Sequence, residues 1–204
     1  MAMSTTLIQS EPGAIVLHFG PVMKKLSEED FLEFCQLNRD LRIERTKEGD
    51  LIIMPPTYSK TGKRNFRLTG QFSNWVEKDG TGVGFDSSTG FTLPNGAMRS
   101  PDVSWIGFDR WNALTDDEQE RFAPICPDFV VELRSESDAL KTLKKKMGEY
   151  IENGAQLGWL IDPLEKNVYI YRRDSDVECL EHPDMVSGDP LLSGFVLKMK
   201  EIWD

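Results

Sequence analysis

Pro127-Asp128-Phe129-Val130-Val131-Glu132-Leu133 is a short apolar run with a carboxylate set inside it. Valine and phenylalanine favour a pleated, buried surface, so the run reads as a core strand. An ionised carboxylate taken out of water costs several kcal/mol unless a partner offsets it. Glu132 in such a strand therefore implies a cation, a hydrogen-bond cage or a proton held for it.

The flanks of that strand set the fold. Ser135-Glu136-Ser137-Asp138 offers N-cap residues for a helix running to about Asn153, with Gly154 at the C′ position. Gly158-Trp159-Leu160-Ile161-Asp162 then reads as a second strand. Strand, helix and strand over 129–133, 138–153 and 158–162 make a right-handed crossover between parallel strands. Upstream, Ser27-Glu28-Glu29-Asp30 opens an amphipathic helix carrying Phe31, Phe34, Cys35 and Leu37. Leu41–Arg45 and Leu51–Met54 form a hairpin turning at Glu48-Gly49-Asp50 and ended by Pro55-Pro56. A second helix covers 61–77, with strands expected at 82–86, 91–93 and 102–106, a helical or irregular insertion at 109–122, and further hairpin strands at 167–172 and on to 195–197. The fold class is α/β or α+β: a mixed central sheet flanked by helices.

At 204 residues the chain suits one domain, with 1–58 as an N-terminal helix-and-hairpin embellishment and 59–204 as the core. Its 39% hydrophobic and 28% charged residues are those of an ordinary globular protein. The opening MAMSTTLIQSEPGAIV has neither the basic start nor the continuous apolar core of a signal peptide, and no stretch approaches the roughly 18 apolar residues of a membrane span. Cys35, Cys126 and Cys179 are odd in number and widely spaced, as reduced cytoplasmic thiols are. The net charge of −10 runs against a broad basic footprint for nucleic acid. Its distribution is uneven, however. Lys60, Lys63, Arg64 and Arg67 form one basic cluster, and Lys141, Lys144, Lys145 and Lys146 another. Each reads either as a face for an anion or as a solvated helix surface.

About thirty residues before Glu132, Ser100-Pro101-Asp102-Val103-Ser104-Trp105-Ile106 sets a second carboxylate at the start of a strand. Pro101, lacking a backbone donor, suits that position, and Pro-Asp is equally a plain turn before a strand. Two carboxylates on neighbouring strands suit Mg²⁺ or Mn²⁺ much better than zinc. His18 and His182 stand far apart, which gives no histidine-based site. On the helix after Glu132, Leu140, Leu143, Met147, Tyr150 and Ile151 make one apolar stripe. Lys141 and Lys145 point away from it. Lys144 and Lys146 flank it on opposite edges, and spacing alone does not choose between them.

SPDVSWI (100–106), PDFVVELRSESD (127–138), Lys146 four residues before Tyr150, and GWLIDP (158–163) together resemble the Uma2 family of restriction-type endonucleases, built on the PD-(D/E)XK nuclease fold. The likeness runs from about Phe34 to Trp203 and includes IIMPP (52–56), FDSSTGFTLPNG (85–96) and LLSGFVL (191–197). The resemblance implies that Asp102 is the PD aspartate and Glu132 the acid of the (D/E)XK motif, holding Mg²⁺ or Mn²⁺ with the Leu133 carbonyl. Arg134 stands where that motif has lysine, and a guanidinium cannot act as a base. The family lysine comes instead from the following helix, which matches Lys146. Arg134 is then expected to bind phosphate or lock Glu132, and Glu44 to add a metal or outer contact. Lys63, Arg64, Arg67 and Lys144 are expected along the nucleic-acid backbone. The implied function is Mg²⁺-dependent hydrolysis of DNA phosphodiesters by a cytoplasmic homodimer, with no organic cofactor and no membrane. The alternative is an inactive nuclease-fold module that binds nucleic acid or protein.

Overall fold

The computed structural model describes residues 8–11, 14–18 and 26–204; the rest of the segment read for a leader lies outside them. In chain order the elements are β1 (Ile8–Glu11), β2 (Ala14–Leu17), α1 (Glu28–Leu37), β3 (Arg42–Arg45), β4 (Leu51–Met54), α2 (Ser59–Asp79), β5 (Gly82–Asp86), β6 (Phe91–Thr92), β7 (Met98–Arg99), β8 (Val103–Gly107), α3 (Phe108–Trp111), α4 (Asp116–Gln119), β9 (Phe129–Leu133), α5 (Leu140–Glu152), β10 (Leu157–Asp162), β11 (Asn167–Arg172), β12 (Glu178–Glu181), β13 (Met185–Ser187), β14 (Val196–Lys198) and α6 (Lys200–Trp203).

The apolar run at 129–133 forms β9, and every residue of it is buried. It pairs in parallel with β10, Leu157 opposite Phe129 and Ile161 opposite Leu133. Helix α5 is the crossover between them. The remaining pairs of this central sheet, ordered β12-β11-β10-β9-β8-β5, are antiparallel. Alternation along β9 splits its side chains between two cores. Phe129, Val131 and Leu133 pack with Leu68 and Phe72 of α2 on one face. Val130 packs with Met147 and Tyr150 of α5 on the other. Helix α5 comes close because Gly158 lies beneath it: a Cβ there would stand 2.5 Å from Met147 Cε.

Two sequence expectations change. Helix α5 starts after Ala139, which makes no side-chain cap bond. Ser135 and Asp138 bond each other instead (2.6 Å), closing the loop that leaves β9. The second change concerns the N-terminal hairpin. It is the centre of a second six-stranded antiparallel sheet, ordered β1-β2-β4-β3-β7-β6. Strands β6 and β7 come from the 91–99 segment, inside what reads as the core. Arg45 opposite Met98 joins β3 to β7, and Phe31, Ile43, Leu51 and Met98 fill the space behind this sheet. The pairing carries β3 to the start of β8, beside Asp102.

Candidate functional site

Glu132 faces α5, and its partner is a lysine. Lys146 Nζ lies 2.8 Å from Glu132 Oε1 and 2.8 Å from Glu44 Oε1. One turn along α5, the Tyr150 hydroxyl donates to the same Glu132 oxygen at 3.0 Å. Glu44, on β3, also accepts from Arg99 Nη1 (3.1 Å) and from the Ser100 N–H (3.0 Å). Arg99 Nε in turn donates to Glu149 of α5 at 2.6 Å. Asp102 straddles Glu132 along the β9 backbone. Its N–H donates to the Val131 carbonyl (2.9 Å) and its Oδ2 accepts from the Leu133 N–H (2.8 Å). Arg42 Nη2 stands 3.8 Å from Asp102 Oδ1 and donates to the Ser100 carbonyl at 2.9 Å. Its Nε is buried and has no partner among the described residues.

The two carboxylates on Lys146 shift in opposite directions. Burial raises both, yet Lys146, Arg99 and the Ser100 N–H hold Glu44 down at about 2. Burial pushes Glu132 up to about 7; Lys146 opposes this, while Asp102 and Glu44 add to it. The difference is one of supply, because Glu44 has an arginine and a backbone donor that Glu132 lacks. Burial also raises Asp102, against the pull of Arg42 and the Leu133 N–H. Burial works to lower Lys146, but Glu132 and Glu44 outweigh it and raise the ammonium above its ordinary value. In the metal-free fold its two carboxylate partners hold Lys146 as an ammonium.

Glu44, Arg99 and Lys146 stand on the wall of a cleft of about 750 Å³ between the β3–β4 hairpin and α5, with Ile52, Met54 and Leu143 as its apolar part. Asp102 and Glu132 do not line it. Asp102 keeps 16% of its side-chain surface in solvent, and Arg42 beside it 38%. Among the described residues, no three Asp, Glu, His or Cys side chains are grouped to hold a metal ion by themselves. The donors that do fit a hard cation are the Glu132 Oε2 and Asp102 Oδ1 atoms. Neither takes a hydrogen bond from the described protein, since the bonds to these groups fall on their other oxygens.

The structure thus brings Asp102, Glu132, Glu44 and Lys146 together, with Leu133 tied to Asp102. Arg134 is corrected: it donates to Asp162 Oδ2 (2.8 Å) and to the Asp138 carbonyl (3.2 Å), neutralising a fully buried aspartate at the end of β10. Arg64 is corrected as well. It is buried, and its Nε donates to the Ile202 carbonyl at 3.0 Å, pinning α6 to α2. Lys144 lies over the Tyr169 ring at 3.8 Å, away from the carboxylates. Lys63 and Arg67 are exposed on α2, across the sheet from α5. The second Pro-Asp pair is structural, with Asp128 accepting from Gly107 N–H, Arg110 and Gln156. His18 pairs with Asp50 at 2.8 Å on the cleft wall.

Arg42, Arg99 and the Tyr150 hydroxyl escape a reading of the sequence. Arg42 had a signal, since it stands two residues before Glu44 on one strand and so shares its face. Tyr150 had one too, four residues after Lys146 on a helix. Arg99 had none, because its role depends on the β3–β7 pairing.

A sequence model of the Uma2 family, described as "Putative restriction endonuclease", matches residues 28–200. No curated protein matches the chain. A crystal structure described as "a putative nuclease belonging to DUF820" from Anabaena variabilis ATCC 29413 shares the fold, with a TM-score of 0.68 at 24% identity, over 79% of this chain and 89% of that one. That structure bears on the fold alone.

Proposed function

This chain belongs to the Uma2 family, and from that premise we propose that it is a Mg²⁺-dependent endonuclease hydrolysing phosphodiester bonds of DNA. The observation that carries this reading is Lys146 held between Glu132 and Glu44, with Asp102 alongside. A divalent cation, Mg²⁺ or Mn²⁺, held by Asp102, Glu132 and the Leu133 carbonyl, would supply a polarised phosphate and a more acidic bound water.

The chain's own residues do the rest. Lys146 stabilises charge building on the pentacovalent phosphate and orients the attacking water. Glu44 and Tyr150 position Lys146 and Glu132. Arg42, whose side chain is 38% exposed beside Asp102, takes a phosphate oxygen. Arg134 acts only through Asp162, as part of the fold. Two copies, each carrying one site, would serve cleavage of both strands, in a compartment that keeps the three cysteines reduced.

The deciding experiment is plasmid cleavage in Mg²⁺ or Mn²⁺ by the wild type, Asp102→Asn and Glu132→Ala. Nicking or linearisation by the wild type, lost in both variants and in EDTA, is expected. Cleavage by all three proteins, or by none, removes the support for the reading.

A further inference from the structure

Among the described residues, the most exposed aromatic ring on a helix is Phe66, with 76% of its surface in solvent. It stands at the centre of the outer face of α2, opposite the side on which Leu68 and Phe72 enter the core. Taking about 100° per residue, Lys60, Lys63 and Arg67 lie along one ridge beside it, at i, i+3 and i+7. Tyr58, at the helix N-cap, is 68% exposed. Between Ser59 and Val76 the helix carries no acidic residue, on a chain whose net charge is −10. Among the described residues Lys60 and Arg67 make no ion pair, and Lys63 reaches only the Asp204 main-chain oxygen, at 3.5 Å.

The position of this face along the sheet follows from the fold. Phe72 and Val76 pack against Gly84 of β5, and β5 ends at Asp86, which pairs with Val103 next to Asp102. From that helical turn back to Phe66 is about 12 Å at about 1.5 Å per residue. From Gly84 to Asp86 is only about 7 Å at about 3.4 Å per residue. Along the strand direction Phe66 and the ridge therefore stand level with, or just beyond, the sheet end that carries Asp102, on the face of the sheet away from α5.

We propose that this face of α2 binds an unpaired stretch of nucleic acid, with bases stacking on Phe66 and Tyr58 and phosphates following Lys60, Lys63 and Arg67. The proposal rests on the nuclease reading and narrows it: the substrate carries a single-stranded segment that passes over α2, on the face of the sheet away from Lys146. Charge decides the occupant. A second copy docked two-fold on this face would set Lys60, Lys63 and Arg67 against themselves, whereas a polyanion complements them. Exposed rings beside a basic track suit unstacked bases, since every base has a face to stack and a duplex hides it.

The test is fluorescence anisotropy in EDTA, which prevents cleavage, using a labelled single-stranded oligonucleotide and its duplex with wild type, Phe66→Ala, Phe66→Trp and the double variant Lys63→Ala/Arg67→Ala. Phe66→Ala is expected to weaken single-strand binding about tenfold or more, leave duplex binding within about twofold, and be restored by Phe66→Trp. The lysine–arginine double variant is expected to reduce the salt slope by about 1.4, as two lost phosphate contacts do. Sedimentation checks the alternative. If Phe66→Ala binds single strands like the wild type, or only shifts a dimer to monomer, the proposal is overturned. Cleavage is scored separately on the same proteins. Loss of single-strand binding in a protein that cuts nothing rejects the nuclease reading and keeps the surface; the reverse pattern does the opposite.

Discussion

Glu132→Gln is expected to make the metal-free protein more stable, and only at high pH. The wild-type carboxyl titrates at about 7 in the fold against an ordinary value of 4.5. The folded state therefore holds this proton more tightly than the unfolded state. Stability is intact below about pH 4.5 and falls as pH rises toward 7. At about 1.4 kcal/mol per pH unit, the gap amounts to about 3 kcal/mol of lost stability by pH 8. Glutamine keeps the shape, still accepts from Tyr150, and has no charge to desolvate; Lys146 keeps Glu44 as its partner. The pull of Lys146 is already included in that gap; an amide's imperfect match to a protonated carboxyl takes some of the gain, leaving about 1–3 kcal/mol, or several degrees in Tm for a chain of this size. Urea denaturation in EDTA at pH 5 and pH 8 reads it directly. The advantage of Glu132→Gln should shrink to below about 1 kcal/mol at pH 5. A variant less stable than wild type at pH 8, or a difference that ignores pH, would show that Glu132 is well compensated as an anion and that the argument for an awaiting cation is wrong. Adding Mg²⁺ at pH 8 should then stabilise the wild type and not the variant, because only the native wild-type site gains a ligand.

Other outcomes follow from the same contacts. Lys146→Ala leaves Glu132 and Glu44 buried without their shared cation and should cost about 3–5 kcal/mol at pH 8, measured by urea midpoint, besides abolishing cleavage. Arg42→Ala should leave Tm within a few degrees yet raise KM for a cleavable oligonucleotide and lower the salt slope of binding by about 1; unchanged binding would make Arg42 merely a counter-ion of Asp102. Arg134→Ala strands the fully buried Asp162 and should lower stability by about 3 kcal/mol, while the folded fraction cleaves at the wild-type rate. Gly158→Ala brings a Cβ against Met147 Cε, the movable end of that side chain, and should cost about 1 kcal/mol or less in thermal denaturation as the thioether swings aside.

Much of the central sheet was legible because its signals are local. Strand β9 is bounded by proline and by a polar loop, and the stripe of α5 repeats over three turns, so both stand close to where composition and period put them. The pairing of Lys146 with Glu132 was half legible: a buried carboxylate demands a cation, but two lysines offered one. What separates them is the side of the stripe that faces β9, which only packing fixes. The second sheet was illegible for a different reason. Strands β6 and β7 have two residues each, too few to show alternation, and the partner that joins β7 to the sheet, β3, lies some fifty residues upstream. Arg64 and Arg134 misled because a buried arginine and a solvated one look alike in sequence. Their partners, the Ile202 carbonyl and Asp162, lie 138 and 28 residues further on.

The lysine shared by Glu44 and Glu132 has a consequence for how this chain can decay. Glu44 belongs to one sheet, Glu132 to the other, and Lys146 fastens both to α5. Losing Lys146 or Glu44 therefore loosens the joint along with the chemistry, and selection for a folded protein resists it. Losing Asp102 gives up its bond to the Leu133 N–H and its pairing with Arg42, but leaves the Lys146 fastening whole. A descendant freed from cutting nucleic acid should shed Asp102 first and keep the lysine and Glu44 long afterwards, so in a silent relative the fastening outlives the blade.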